Sequence, residues 1–81
     1  MKYLDFLNNS EKYLIELKDE IASVGKQLKE SKENIKISSS DILSIINNYN
    51  GQEGLEKLRN FYSQVDLMLI NIKFQKDKLN I

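Results

Sequence analysis

Residues 35–41 read Ile35-Lys36-Ile37-Ser38-Ser39-Ser40-Asp41, and their reading decides whether the first half of the chain is one helix or two. Three serines in a row compete with the helix for backbone hydrogen bonds and prefer caps to helix interiors. Taken as a break, they leave a short helix at about 41–49, capped by Ser39 or Ser40. Taken as helix, they sit inside a ladder that is apolar or aromatic at every seventh residue: Leu7, Leu14, Ile21, Leu28, Ile35, Ile42 and Tyr49. A loop has no reason to hold that phase, so the ladder favours one helix over 3–48. A break at Ser38, Ser39 and Ser40 stays open as the alternative.

Upstream, the ladder is joined three residues on by Ser10, Leu17, Val24 and Ser31, which is the seam of a coiled-coil-like surface. Leu4 and Phe6 widen it at the start. Downstream, Asn47-Asn48-Tyr49-Asn50-Gly51-Gln52-Glu53-Gly54 is the clearest punctuation in the chain. Asn-Gly supplies left-handed backbone at low cost and ends helices. The turn is placed at 49–54 and a second helix at 55–80, with 52 as its earliest start. The seam of that helix is Leu55, Leu58, Tyr62, Val65, Leu69 and Ile72, then the polar Lys76, then Leu79. The expected fold is one all-α domain over 1–81: an antiparallel helical hairpin with heptad seams that assembles into a helical bundle.

The totals narrow the function. A chain of 81 residues buries little core alone and leans on regular helix packing or association. It has no cysteine and no histidine, so thiolate sites are excluded and the commonest general base and metal ligand are missing. Twelve acids and twelve bases cancel, and Arg59 is the sole arginine, which speaks against nucleic acid as a partner. The longest apolar run, around 67–70, is far short of a membrane span. No signal-peptide pattern opens the sequence, so the expected location is the cytoplasm, or the exterior without a cleaved leader if the secretion resemblance given below holds. The wealth of Asn, Lys and Ile points to an AT-rich genome; a bacterial source is expected only with the secretion resemblance given below.

Candidate chemistry is sparse. Glu16, Asp19 and Glu20 could pair on one helix, yet a solvated face is the simpler reading without a histidine to complete a metal motif. Ser38, Ser39 and Ser40 have no base to activate them. Gly51 and Gly54 lack the strand and lysine of a phosphate loop. No catalytic residue, cofactor, metal ligand or small-molecule substrate is expected. What remains is a protein-binding surface. If the first helix is straight, a second helix of roughly 40 Å pairs it back only to about Ala22. The apolar face of Leu4, Leu7, Leu14, Leu17, Ile21, Val24 and Leu28 is then the expected docking surface, with Leu4, Phe6, Leu7, Leu14 and Leu17 projecting beyond the hairpin.

The turn Tyr49-Asn50-Gly51 and the helix after it resemble the WXG family of small type VII secretion proteins, helical hairpins of about this size with an aromatic-x-Gly turn. Here Tyr49 stands in place of Trp, and Gly51 matches the glycine. Tyr62-Ser63-Gln64-Val65-Asp66 fits the family's Tyr-x-x-x-Asp/Glu secretion signal, with Tyr62 and Asp66 as its residues. It sits inside the second helix, whereas the family signal usually lies beyond it. The resemblance implies a homodimer, or a heterodimer with a sibling or with the helical targeting domain of a secreted toxin. Ser63-Gln64-Val65-Asp66 is also similar to the Ser-Gln-Glu-Leu-Asp motif of small helical-hairpin phosphatases that act on sporulation response regulators, one residue short. The stretch Ser39-Ser40-Asp41-Ile42-Leu43 places Leu43 where that motif needs its aspartate. A third class, small helical immunity, antitoxin and phage-type inhibitor proteins that mask an enzyme, needs no motif and is compatible with the chain.

Overall fold

The computed structural model describes residues 2–30 and 35–79. Helix α1 spans Tyr3–Lys29, α2 spans Ser40–Asn48 and α3 spans Gly51–Leu79, with no strand among the described residues. The protein is thus all-helical. α1 packs against α3 along a body 48 × 20 × 19 Å in extent.

The seam explains α1. Leu7, Leu14, Leu17, Ile21 and Val24 are buried, at the three- and four-residue spacing that puts them on one stripe. Asp5 stands in the first turn and Lys26 and Lys29 in the last, each complementing the helix dipole at its end. In α3 the stripe is Leu58 and Val65, with Gly54 buried before them and Phe61, Leu69 and Ile72 packed against the same core.

The continuous first helix over 3–48 is corrected by the structure. α1 ends at Lys29, and residues 35–39 are not helical. The backbone N–H groups of Ser38 and Ser39 donate to Glu20 Oε1 at 3.0 and 2.8 Å. Ser39 Oγ then accepts from the Ile42 N–H at 3.3 Å and caps α2. The serines are therefore served better outside a helix than within one. The seven-residue phase survives because both pieces bury into one core: Ile42 is 0 % exposed, and Ile35 and Ile37 pack against the same cluster.

The second turn is also tighter than 49–54. α3 begins at Gly51, whose φ of +55° is left-handed backbone, a conformation glycine adopts without steric cost. Gly54 is inside the first turn of α3, where a Cβ would come within 3.1 Å of the Tyr49 carbonyl oxygen.

The break changes the pairing. Lys18 Nζ meets Asp66 Oδ1 at 2.8 Å, and Lys76 Nζ meets Glu11 Oε1 at 3.1 Å. α3 therefore runs antiparallel along α1 beyond Glu11, not merely to Ala22. Leu7, Leu14 and Leu17 do not project from the hairpin but are buried within it. Lys76, polar in an apolar seam, is there to reach Glu11.

Candidate protein interface

α2 covers only part of the groove between the two long helices. Its N-terminal side meets α1, where Ser38, Ser39 and Ser40 lie beside Tyr13, Glu16, Leu17 and Glu20. Its outer flank meets α3, where Ile45 and Tyr49 lie beside Lys57, Asn60, Phe61 and Gln64. Nine residues of helix extend about 13 Å, against about 40 Å for each long helix. Beyond α2 the same groove continues uncovered. It is lined by Phe6, Asn9, Ser10, Tyr13 and Leu14 of α1 and by Met68, Asn71 and Ile72 of α3, and it encloses about 670 Å³. Tyr13 borders both the covered and the open part. No charged side chain lines the open part.

The rim is apolar. Phe6, Tyr13 and Met68 are each about half exposed, and Tyr3 stacks on Phe6 with ring centroids 6.4 Å apart. The outer side of α3 adds Leu67 (67 % exposed), Ile70 (60 %) and Phe74 (56 %), at the i, i+3, i+7 spacing of one helix face. Between positions 67 and 74, then, α3 is apolar on its core side and on its solvent side alike. Asn71 and Lys73, both exposed, interrupt it, so this part of α3 shows an apolar strip to the outside as well as to the core.

The expected interface residues fare differently. Leu7, Leu14, Leu17, Ile21 and Val24 are buried by the chain's own α2 and α3, Leu28 packs against that core, and Leu4 is exposed. The surface left for a partner is the open groove and the outer face of α3. Sequence reading missed Leu67, Ile70 and Phe74 because they lie off the seam. The signal was there in the apolar run at 67–70, which no single helical stripe accommodates.

Tyr49 closes α2 in extended conformation and lies under Lys57 Nζ, 5.0 Å from the ring centroid. Tyr62 and Asp66 are brought together on Lys18, whose Nζ is 4.9 Å from the Tyr62 centroid and bonded to Asp66. The hydrogen bond from Lys18 to Asp66, aided by the charge of that carboxylate and opposed by desolvation, raises the Lys18 pKa above its ordinary value. These three side chains join α1 to α3.

Among the described residues, no group of three acidic side chains is placed to hold a metal ion. Glu20 is engaged with Ser38 and Ser39. No described helix is long and apolar enough to cross a membrane. No family, curated protein or solved structure matches the chain.

Proposed function

We propose that this chain is a non-catalytic protein-binding module, a WXG-like type VII secretion partner or targeting chaperone. Its partner is a second helical chain, either its own copy or the helical targeting domain of a secreted protein. The observation that carries the reading is the half-covered groove. A three-helix arrangement over the α2 level gives way to two helices above it, and the uncovered part keeps an apolar lining and an apolar rim. Exposed patches of this kind on a small chain mark association surfaces. The α1–α3 hairpin and the Tyr49-Asn50-Gly51 entry to α3 support the family form of the reading. The use of Tyr62 and Asp66 in the Lys18 cluster gives these two residues a structural role alongside any part in export.

The test is co-expression with the helical N-terminal domain of a secreted toxin encoded beside the chain. One-to-one co-purification is expected, lost on Met68→Glu and kept on Leu43→Glu, since Leu43 is exposed on α2 away from the groove. A neighbouring toxin that binds through its catalytic end instead would refute the secretion reading and favour an immunity or inhibitor protein.

A further inference from the structure

A second cavity, of about 290 Å³, lies between the C-terminal half of α1 and the first turns of α3. α1 lines it with Ala22, Gly25, Lys26 and Lys29, and α3 with Leu55, Arg59 and Tyr62, each set held on one helix face by three- and four-residue spacing. The face of α3 that meets α2 is a different one, with Lys57, Asn60, Phe61 and Gln64, so the cavity is on the side of the hairpin away from α2. Buried Ile21 and Leu58 form its floor. It shares no residue with the open groove. We infer that this cavity binds a small phosphate monoester bearing an apolar or aromatic group, at a site separate from the proposed partner surface.

The chain is neutral overall, but this cavity is not. Three cations line it, the sole arginine among them, and no described acid does. Glu30 and Glu56 neighbour Lys26 and Arg59 on their helices but lie outside the lining. Lys26, Lys29 and Arg59 are exposed and take part in no salt bridge among the described residues. Asp66, one turn beyond Tyr62, is already bonded to Lys18 at 2.8 Å. The dipole of α1 accounts for basic residues in its last turn. It does not account for Arg59, which lines the same cavity from α3. A phosphate monoester carries a charge of about −1.5 to −2 at pH 7 and three strong acceptor oxygens. One guanidinium fork and two ammonium groups match that charge and those oxygens. A carboxylate, with one charge, leaves the cluster largely uncompensated.

Gly25 is the second, independent sign. It stands deep inside α1, where glycine is a poor helix former. Packing within the chain does not ask for it, because an added Cβ there meets no atom within 4 Å. The space that the missing side chain leaves is the cavity that Gly25 lines, beside the small Ala22. The rest of the lining explains the organic part of the ligand. Tyr62 and Leu55 are partly exposed beside the buried floor, and Lys18 Nζ, 4.9 Å from the Tyr62 ring centroid, holds that ring in place. A site that joins an apolar floor and an aromatic wall to a few converging charges suits an amphiphilic small molecule. At about 290 Å³ it stands at the small end of such sites, which run from about 300 to 1,000 Å³, so the ligand is small.

The test is a titration of the full chain with phenyl phosphate, followed through the backbone amide resonances, with inorganic phosphate and phenol as the two halves of the probe. Saturable shifts are expected at Ala22, Gly25 and Arg59, with a Kd on the order of a millimolar, and at least about fivefold weaker binding of either half. Arg59→Gln should weaken phenyl phosphate by about 10-fold, the loss of a charge-assisted contact. Gly25→Ala should raise the urea midpoint and yet weaken phenyl phosphate by about threefold or more, because the new methyl group takes ligand space; a residue with a purely structural role would not move the two readouts in opposite directions. Binding by Gly25→Ala or Arg59→Gln equal to that of the wild type would overturn the site. Equal binding of inorganic phosphate would overturn the organic part of the ligand, and equal binding of phenol its phosphate. Shifts confined to Asn9, Asn71 and their neighbours would place the ring in the open groove and overturn this cavity, leaving the partner reading, which is tested by co-purification, as it stands.

Discussion

Replacing Ile42 by alanine asks whether α2 is seated on the core or merely tethered beside it. Ile42 is 0 % exposed and joins Leu17, Val24, Leu58 and Val65 in one cluster. Truncating a buried isoleucine to alanine costs about 2–5 kcal/mol, the lost transfer energy plus that of the cavity left behind. Alanine's better helix propensity returns a few tenths. We expect a net loss of about 3 kcal/mol, a large share of the roughly 4–12 kcal/mol that an 81-residue chain has in total. At about 4–8 °C per kcal/mol for a domain of this size, the melting temperature should fall by roughly 12–24 °C. Leu43→Ala is the internal control: the same helix, one residue on, but 44 % exposed, with an expected loss under about 1 kcal/mol. Urea and thermal melts followed at 222 nm give both values, at one chain concentration because association shifts apparent stability. Equal small losses from the two variants would refute the seating of α2 and restore a picture in which residues 40–48 lie outside the core.

Three further outcomes follow from the same geometry. Gly25 is in the middle of α1, where an added Cβ meets nothing within 4 Å, so Gly25→Ala should stabilise by about 0.8–1 kcal/mol through helix propensity alone, read as a higher urea midpoint; a loss would show that the site is tighter than its geometry. Glu20→Ala leaves the Ser38 and Ser39 N–H groups without their carboxylate and should cost about 1–2 kcal/mol, with Glu20→Gln intermediate; no change would mean that water replaces the carboxylate at no cost. For Lys18, the folded pKa is raised above 10.5, chiefly by its hydrogen bond to Asp66. Its contribution is therefore complete below the unfolded value and lost as pH rises through the folded one, so the melting-temperature deficit of Lys18→Met should hold at neutral pH and shrink only as the pH passes 10.5 and then the raised folded value. A deficit that does not shrink at all as the lysine is deprotonated refutes the ion pair as its source.

The parts of the fold legible in the sequence were those set by local periodicity. The buried stripe of α1 and the seam of α3 around Leu58 and Val65 follow directly from three- and four-residue spacing. The Asn50-Gly51 reversal follows from glycine's access to positive φ. Continuity through the serines was not legible, because hydrophobic phase reports that Ile35 and Ile42 share a core and says nothing of the path between them. What decided it was Glu20, eighteen residues before Ser38, and no local rule connects those two. The expected docking surface was displaced for the same reason. Once the chain folds back at 35–39, α3 returns along α1 and covers Leu7, Leu14 and Leu17. The apolar excess then appears on α3, at Leu67, Ile70 and Phe74, where the seam had drawn attention to the opposite side of the helix.

The shortness of α2 also divides the molecule by rigidity. At its level Ile21, Val24, Ile42, Leu58 and Val65 are buried together; beyond Leu14, at the other end, Leu7 alone of the described residues is buried, with Glu11–Lys76 as the nearby ion pair. Opening free energies track such differences in buried contact, so amide protons at the α2 end should exchange only through global unfolding, while those of the first three turns of α1 and the last three of α3 exchange through cheap local opening. The end that offers the groove is thus also the end whose helices fray. A partner seated there would slow exchange along both strands of the hairpin at once, and part of its binding energy would go into holding that end of the rod together.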